Sequence, residues 1–145
     1  PILTNFVTYI VTLVENHWGI QCRFGVDPGP DGETPKTAAT ALTVLEGALA
    51  AMGSGDLTAA TELFNYPHFN IDPGDVRSYA SADEVAPTLP SGDVKPSDLR
   101  ALQSGPNSVS MAFDAKIDRR DMQGVVLATE REGHWGIESR SIIVH

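Results

Sequence analysis

His17-Trp18-Gly19-Ile20 and His134-Trp135-Gly136-Ile137 are the same tetrapeptide, met twice in a chain of 145 residues. The copies stand 117 residues apart, and the same offset aligns Thr12 with Thr129, Glu15 with Glu132 and Arg23 with Arg140, so seven of the twelve positions from 12 to 23 are identical. Such an offset is the size of a domain, whereas solenoid repeats recur every 20 to 50 residues or so. The chain therefore reads as the end of one repeat followed by a complete second one. That divides it into a β-hairpin at 1–28, a linker at 29–33 and a full domain at 34–145.

Around the first copy, residues 6 to 14 are rich in β-branched and aromatic types, and Glu15-Asn16 makes a short polar break before Trp18 to Val26. In the second strand Trp18, Ile20, Cys22, Phe24 and Val26 alternate, which predicts one apolar face, with His17, Gln21 and Arg23 on the other. A lone hairpin is marginal in water. This one is expected to dock on the sheet of residues 98–144, in its own chain or across a two-fold axis in a homodimer. Asp27 to Pro35, with three prolines, two glycines and three acidic residues, has the composition of a linker.

Thr34 and Pro35 are suited to open a helix running to about Met52, with Ala38, Leu42, Leu45, Leu49 and Met52 as its apolar stripe. Gly53-Ser54-Gly55 stops it and Asp56 caps a second helix over Leu57 to Phe64. A strand at His68 to Ile71, a turn at Asp72-Pro73-Gly74-Asp75 and a returning strand at Val76 to Ala80 follow. Pro87 to Ser97 reads as loop. Then come strands at Asp98 to Gln103, Ser108 to Asp118, Gly124 to Arg131 and Trp135 to Val144, the second of them with Val109, Met111, Phe113, Ala115 and Ile117 facing inwards. Helices first and an antiparallel meander after them make an α+β domain, its helices on one face of a curved sheet.

Ten basic against nineteen acidic residues give a net charge of −9, which repels nucleic acid and anionic membranes. The sole cysteine, Cys22, closes no intrachain disulfide, and the four scattered histidines have no zinc-ligand spacing, so no metal or cofactor is expected. No apolar run is long enough for a membrane span and no leader is evident, so a cytoplasmic protein is expected.

Ala50-Ala51-Met52-Gly53-Ser54-Gly55-Asp56-Leu57, running into Leu63-Phe64 and a strand, resembles the start of the nuclear transport factor 2 (NTF2)-like superfamily, also called SnoaL-like or cystatin-like α+β. Tyr66-Pro67-His68 and the later His134-Trp135-Gly136-Ile137-Glu138-Ser139-Arg140 resemble a SnoaL-like branch with Tyr-Pro-His on its first strand and Trp-Gly-Ile on its last. The resemblance covers 34–145, with residues 6–26 resembling the final two strands of a further such domain. It implies a cone, a strongly bent sheet wrapped around helices over an apolar cavity, and homodimers or tandem pseudo-dimers. Candidate ligand-binding residues of such a cavity are Met52, Tyr66, His68, Phe113 and Trp135.

Because that superfamily holds both enzymes and plain binding proteins, its fold alone does not decide function. One reading is a small-molecule-binding or assembly module, with a small hydrophobic molecule as its ligand. The other is a cofactor-independent isomerase, dehydratase or hydrolase. For the enzyme, Asp72-Pro73 resembles the Asp-Pro general base of ketosteroid isomerases, and a carboxylate over an apolar pocket can shuttle a proton. The oxyanion tyrosine of those enzymes, however, falls near Ala48, and Gly124 to Arg131 carries no aspartate to act as a neutral acid. Asp72 equally serves a Pro-Gly turn. Tyr66 and His68, two apart on a strand, are the other catalytic candidates, against a role in packing. Asp114, Glu130, Glu138 and Arg140 either line the cavity or form cross-strand pairs on a wet face, and the pattern favours the pairs.

Overall fold

A computed structural model of the chain describes residues 6–26 and 34–145. The linker expected at 29–33 and the side-chain cap expected of Thr34 lie outside the described residues. In chain order the elements are β1 (Phe6–Val14), β2 (His17–Val26), α1 (Thr34–Ser54), α2 (Leu57–Glu62), β3 (Phe64–Asp72), β4 (Asp75–Tyr79), α3 (Ala82–Val85) with a 3-10 turn at Ala86–Thr88, β5 (Val94–Ser104), β6 (Ser108–Ile117), β7 (Arg120–Arg131) and β8 (His134–Val144).

Helix α1 buries Ala41, Leu45, Ala48, Leu49 and Met52, a stripe rotated from the expected one, and Ala38 and Leu42 lie at its half-buried margin. The two alanines carry no side chain beyond Cβ, so the sheet closes on the helix with Leu45 and Leu49 as the filling. Gly55 ends the helix in the left-handed region at φ +78°, where only glycine sits without strain. Asp56 then caps α2 by accepting from the Ala59 N–H at 3.0 Å.

Six strands in the order β4-β3-β8-β7-β6-β5 curve over the helix. Strand β6 presents Val109, Met111, Phe113, Ala115 and Ile117 to the helix, all buried, as the alternation predicts. Gly124 faces Phe113 across the strand pair, and a Cβ there would overlap the phenyl ring. The absent side chain is what lets Phe113 lie flat across the sheet.

Three expectations need correction. The sheet is mixed, because β3 runs parallel to β8 through Phe64–Ile137 and Phe69–Ser139. This pairing joins strands that are far apart in sequence, so no local turn signal announces it. Strand β3 begins at Phe64 and α2 stops at Glu62, earlier than the Tyr66-Pro67 boundary, and the Tyr66–Pro67 bond is cis. Strand β5 also starts at Val94, inside the expected loop. Pro96 is tolerated there because β5 is an edge strand, and the pairing shifts beside it between Pro96 and Asp98.

The hairpin β1–β2 forms its own two-stranded sheet on the outer face of the large one. Thr8 Oγ1 meets Ser110 Oγ at 3.3 Å. Gln21 donates to the carbonyls of Asp72 and Asp75 and accepts from the Gly74 N–H, so one side chain ties the hairpin to the β3–β4 turn. Phe24 and Val26 are buried, as are the outward-facing Ser110 and Ala112. Trp18 and Ile20 are not buried with them. Pairing shifts between Ile10–Cys22 and Val11–Ile20, leaving Gln21 as a bulge. One extra residue reverses the side-chain parity of everything beyond it. The bulge therefore turns Trp18 and Ile20 to the face opposite Phe24, where both are 66% exposed.

Candidate functional site

The second tetrapeptide is a clamp on the start of β3. Asn65 Nδ2 donates to Thr129 O at 2.8 Å, to Thr129 Oγ1 at 2.9 Å and to Gly136 O at 3.3 Å. Asn65 Oδ1 lies 2.9 Å from His134 Nδ1, and the other ring nitrogen of His134 lies 3.2 Å from Glu62 O. A Cβ on Gly136 would stand 2.8 Å from the Phe64 carbonyl carbon and 2.9 Å from Asn65 Oδ1, so glycine is required for this approach. Trp135 is half-buried and packs against the core.

The catalytic candidates do not converge. Tyr66 gives its hydroxyl hydrogen to Thr61 O at 2.9 Å; burial raises its pKa, with the Thr61 side chain acting in the opposite direction. His68 is fully buried, stacked on Phe64 with centroids 4.4 Å apart, and its Nδ1 lies 3.0 Å from Ile137 O. Burial lowers its pKa to about 4 against the raising effect of that carbonyl, with the positive charge of Arg140 pushing it down further. Its Nε2 has no partner among the described residues. Asp72 sits apart from both, at the rim of the sheet, where Oδ2 accepts from Asn70 Nδ2 at 2.8 Å.

The expected apolar cavity is nearly full. Leu45, Leu49, Met52, Phe64, Phe113 and Ile137 enclose a space of about 10 Å³, at the lower limit for one water molecule. Met52 and Phe113 are therefore filling, and no small hydrophobic molecule fits between them. Open hollows lie on the surface instead, and one of them, a cleft of about 370 Å³ at the mouth of the cone, reaches Arg140. Its polar lining includes Asn70, Asp72, Arg77, Tyr79, Thr88 and Arg140, and its apolar rim includes Pro90, Ile142 and Val144.

Arg140 is the exceptional residue of that cleft. Alternation along β8 places it on the wet face, but Glu138 is bulged between the Leu127–Ser139 and Ala128–Ile137 pairs, and this turns Arg140 inwards opposite the buried Val126. It is 3% exposed, and burial lowers its pKa against the attraction of Tyr79 and Asp72. One Nη donates to Thr88 Oγ1 at 2.6 Å, while Nε has no partner among the described residues. Among the described residues no carboxylate lies within ion-pair distance of it. Of the other charged candidates, Asp114 pairs with Arg100 at 3.3 Å and Glu138 with Arg131, whereas Glu130 accepts from the Gly133 N–H in the β7–β8 turn. Among the described residues no three His, Cys, Asp or Glu side chains are grouped as a metal site requires, and no described helix is long and apolar enough to cross a membrane.

No family model matches this sequence, and no curated protein matches it by sequence. Solved structures do match its shape. A cystatin-like fold protein from Burkholderia xenovorans superposes with a TM-score of 0.62 at 12% identity, over 77% of this chain and 94% of that one. NTF2-like proteins of unknown function from Pseudomonas putida (TM-score 0.60, 9% identity, 77% of this chain and 88% of that one) and Shewanella baltica (0.56, 19%, 74% and 93%) are similar in the same way. Taken with the helix-filled, bent six-stranded sheet, these likenesses establish the architecture: the chain has the NTF2-like, cystatin-like α+β fold.

Proposed function

We propose that this chain is a binding module, and that it takes a small carboxylate-bearing molecule at the polar mouth of the cone. The observation that carries this reading is Arg140, a buried guanidinium with no carboxylate partner, facing a cleft of about 370 Å³. An unpaired buried charge costs several kcal/mol, roughly, and a ligand carboxylate would relieve that cost through two parallel hydrogen bonds. Asn70, Arg77, Tyr79 and Thr88 line the same cleft, with Asp72 held by Asn70 at its rim, and Pro90, Ile142 and Val144 offer contact to a short apolar body.

The isomerase, dehydratase or hydrolase alternative needs a proton-transferring pair over a bound substrate. Tyr66 is bonded to Thr61 and His68 is sealed in the core, so neither faces the cleft, and an interior of about 10 Å³ admits no substrate.

The test is thermal denaturation in the presence of straight-chain carboxylic acids and the matching alcohols. Acids are expected to raise the melting temperature and alcohols to leave it unchanged. Arg140→Met should abolish the response to acids while leaving the unliganded protein as stable, or more stable by up to about 2 kcal/mol, since replacing an unpaired buried charge by an apolar side chain is commonly neutral or favourable. Equal stabilisation of the variant by acids, or its unfolding, would assign Arg140 to structure and overturn the reading.

A further inference from the structure

The hairpin β1–β2 and the pair β7–β8 are built alike. Thr12 faces Gly19 as Thr129 faces Gly136, and Val11 faces Ile20 as Ala128 faces Ile137. One residue is then skipped on the returning strand, Gln21 or Glu138, and pairing resumes at Ile10–Cys22 or Leu127–Ser139. Both turns hold two left-handed residues, Glu15-Asn16 and Glu132-Gly133. The correspondence thus extends beyond the sequence to register, bulge and turn.

Their surroundings differ. In β7–β8 one face, with Val126, Ala128, Ile137 and Arg140, is buried beneath α1, and Ile137 is 3% exposed. The corresponding Tyr9, Val11, Ile20 and Arg23 face solvent, with Ile20 at 66%. The free edge of β8 is taken by β3, and the Ile137 N–H donates to Leu63 O at 2.8 Å. Strand β2 pairs only with β1 among the described residues. Thr129, His134 and Gly136 grip Asn65, whereas Thr12, His17 and Gly19 line a hollow of about 130 Å³. Among the described residues nothing fills face, edge or hollow in the first copy, and in the second copy one continuous segment, α1 through β3, fills all three.

We infer that the exposed side of β1–β2 is a docking site for a second segment of the α1–α2–β3 kind. Its occupant is an amphipathic helix with apolar residues three and four apart, leading into a strand whose first residues carry an asparagine for the Thr12–His17–Gly19 hollow. Thr8, Gln21 and Phe24 already hold the hairpin's other face on the domain, with the hollow on that face beside the β3–β4 turn, so the row of Tyr9, Val11 and Ile20 is held outward. A second intact copy of this chain, the homodimer expected from the sequence, does not supply such a segment, because its own α1–β3 is committed to its own β7–β8. Exposed apolar rows of this size are the mark of an interaction surface.

A synthetic peptide of residues 34–72 is the direct probe, titrated calorimetrically into the full chain. It should bind one to one, and Ile20→Asp should abolish binding without moving the melting temperature of the chain, as Ile20 touches little else. Asn65→Ala in the peptide should weaken binding about tenfold, the loss of its hydrogen bonds into the hollow. Binding that survives Ile20→Asp would mean that the peptide displaces the resident α1, and would overturn the inference. So would a chain that is dimeric alone and becomes monomeric on Ile20→Asp, since the face would then belong to a second copy. Should the peptide aggregate, a fusion placing a second copy of residues 34–117 ahead of Pro1 replaces it. Trp18 emission should then move to shorter wavelength as its face is covered, and an added segment that stays protease-sensitive with Trp18 unshifted would count against the site.

Discussion

Gly136 and Gly19 occupy equivalent places in the two tetrapeptides, yet the structure gives them opposite sensitivities. A Cβ on Gly136 would press on the Phe64 carbonyl and on Asn65, both fixed, whereas a Cβ on Gly19 would meet only the His17 ring at 3.6 Å, an ordinary contact. Gly136→Ala should therefore cost about 2 kcal/mol or more, and Gly19→Ala should fall within about 0.5 kcal/mol of the parent, measured as shifts in the urea midpoint at constant slope. Equal costs would show that glycine is needed for backbone freedom and not for the approach of β3. His68 gives a second prediction at this scale. The folded chain keeps it neutral down to about pH 4, while the unfolded imidazole takes up its proton near 6.5. The unfolded state thus binds the extra proton between those values, so this contribution to stability is whole above about pH 6.5 and is lost as pH falls towards 4. The loss is on the order of 3 kcal/mol, and it should be largely absent in His68→Phe, which can stack on Phe64 without titrating. A parent whose melting temperature is as flat as the variant's across this window would refute the assignment.

At the scale of elements, most of what the sequence announced was periodic or punctuated. The inward row of β6, the Gly55 stop, the Asp56 cap and the two-residue turns at Glu15-Asn16 and Glu132-Gly133 all depend on neighbours within a few residues. Bulges did not reveal themselves. A strand read by strict alternation puts Arg140 outside and Trp18 inside, and the single skipped residues at Glu138 and Gln21 reverse both placements. Strict alternation therefore favours a solvated pair for the very residue that the bulge turns into the cleft. The parallel entry of β3 was hidden for a related reason, since its partner lies some seventy residues further along (Phe64–Ile137) and no turn joins them. The cleft's remaining residues, Asn70, Tyr79 and Thr88, come from three different elements and meet only when the sheet bends.

For the molecule as a whole, the cone is a shell closed tightly on its helix, and a polar cleft opens at its mouth. Leu45, Leu49, Met52 and Phe113 fill the volume in which a hydrophobic ligand was expected, while Arg140 remains as the one buried cation without a carboxylate at the opening of the cleft among the described residues. The claim that binding happens there is tested most directly by NMR, titrating hexanoate into protein labelled at methyl groups and backbone amides. Shifts should concentrate at the methyls of Ile142 and Val144 and the amides of Asn70 and Thr88, saturate at one equivalent site and disappear in Arg140→Met. Shifts at Leu45, Leu49 and Met52 with the mouth unperturbed would contradict the account.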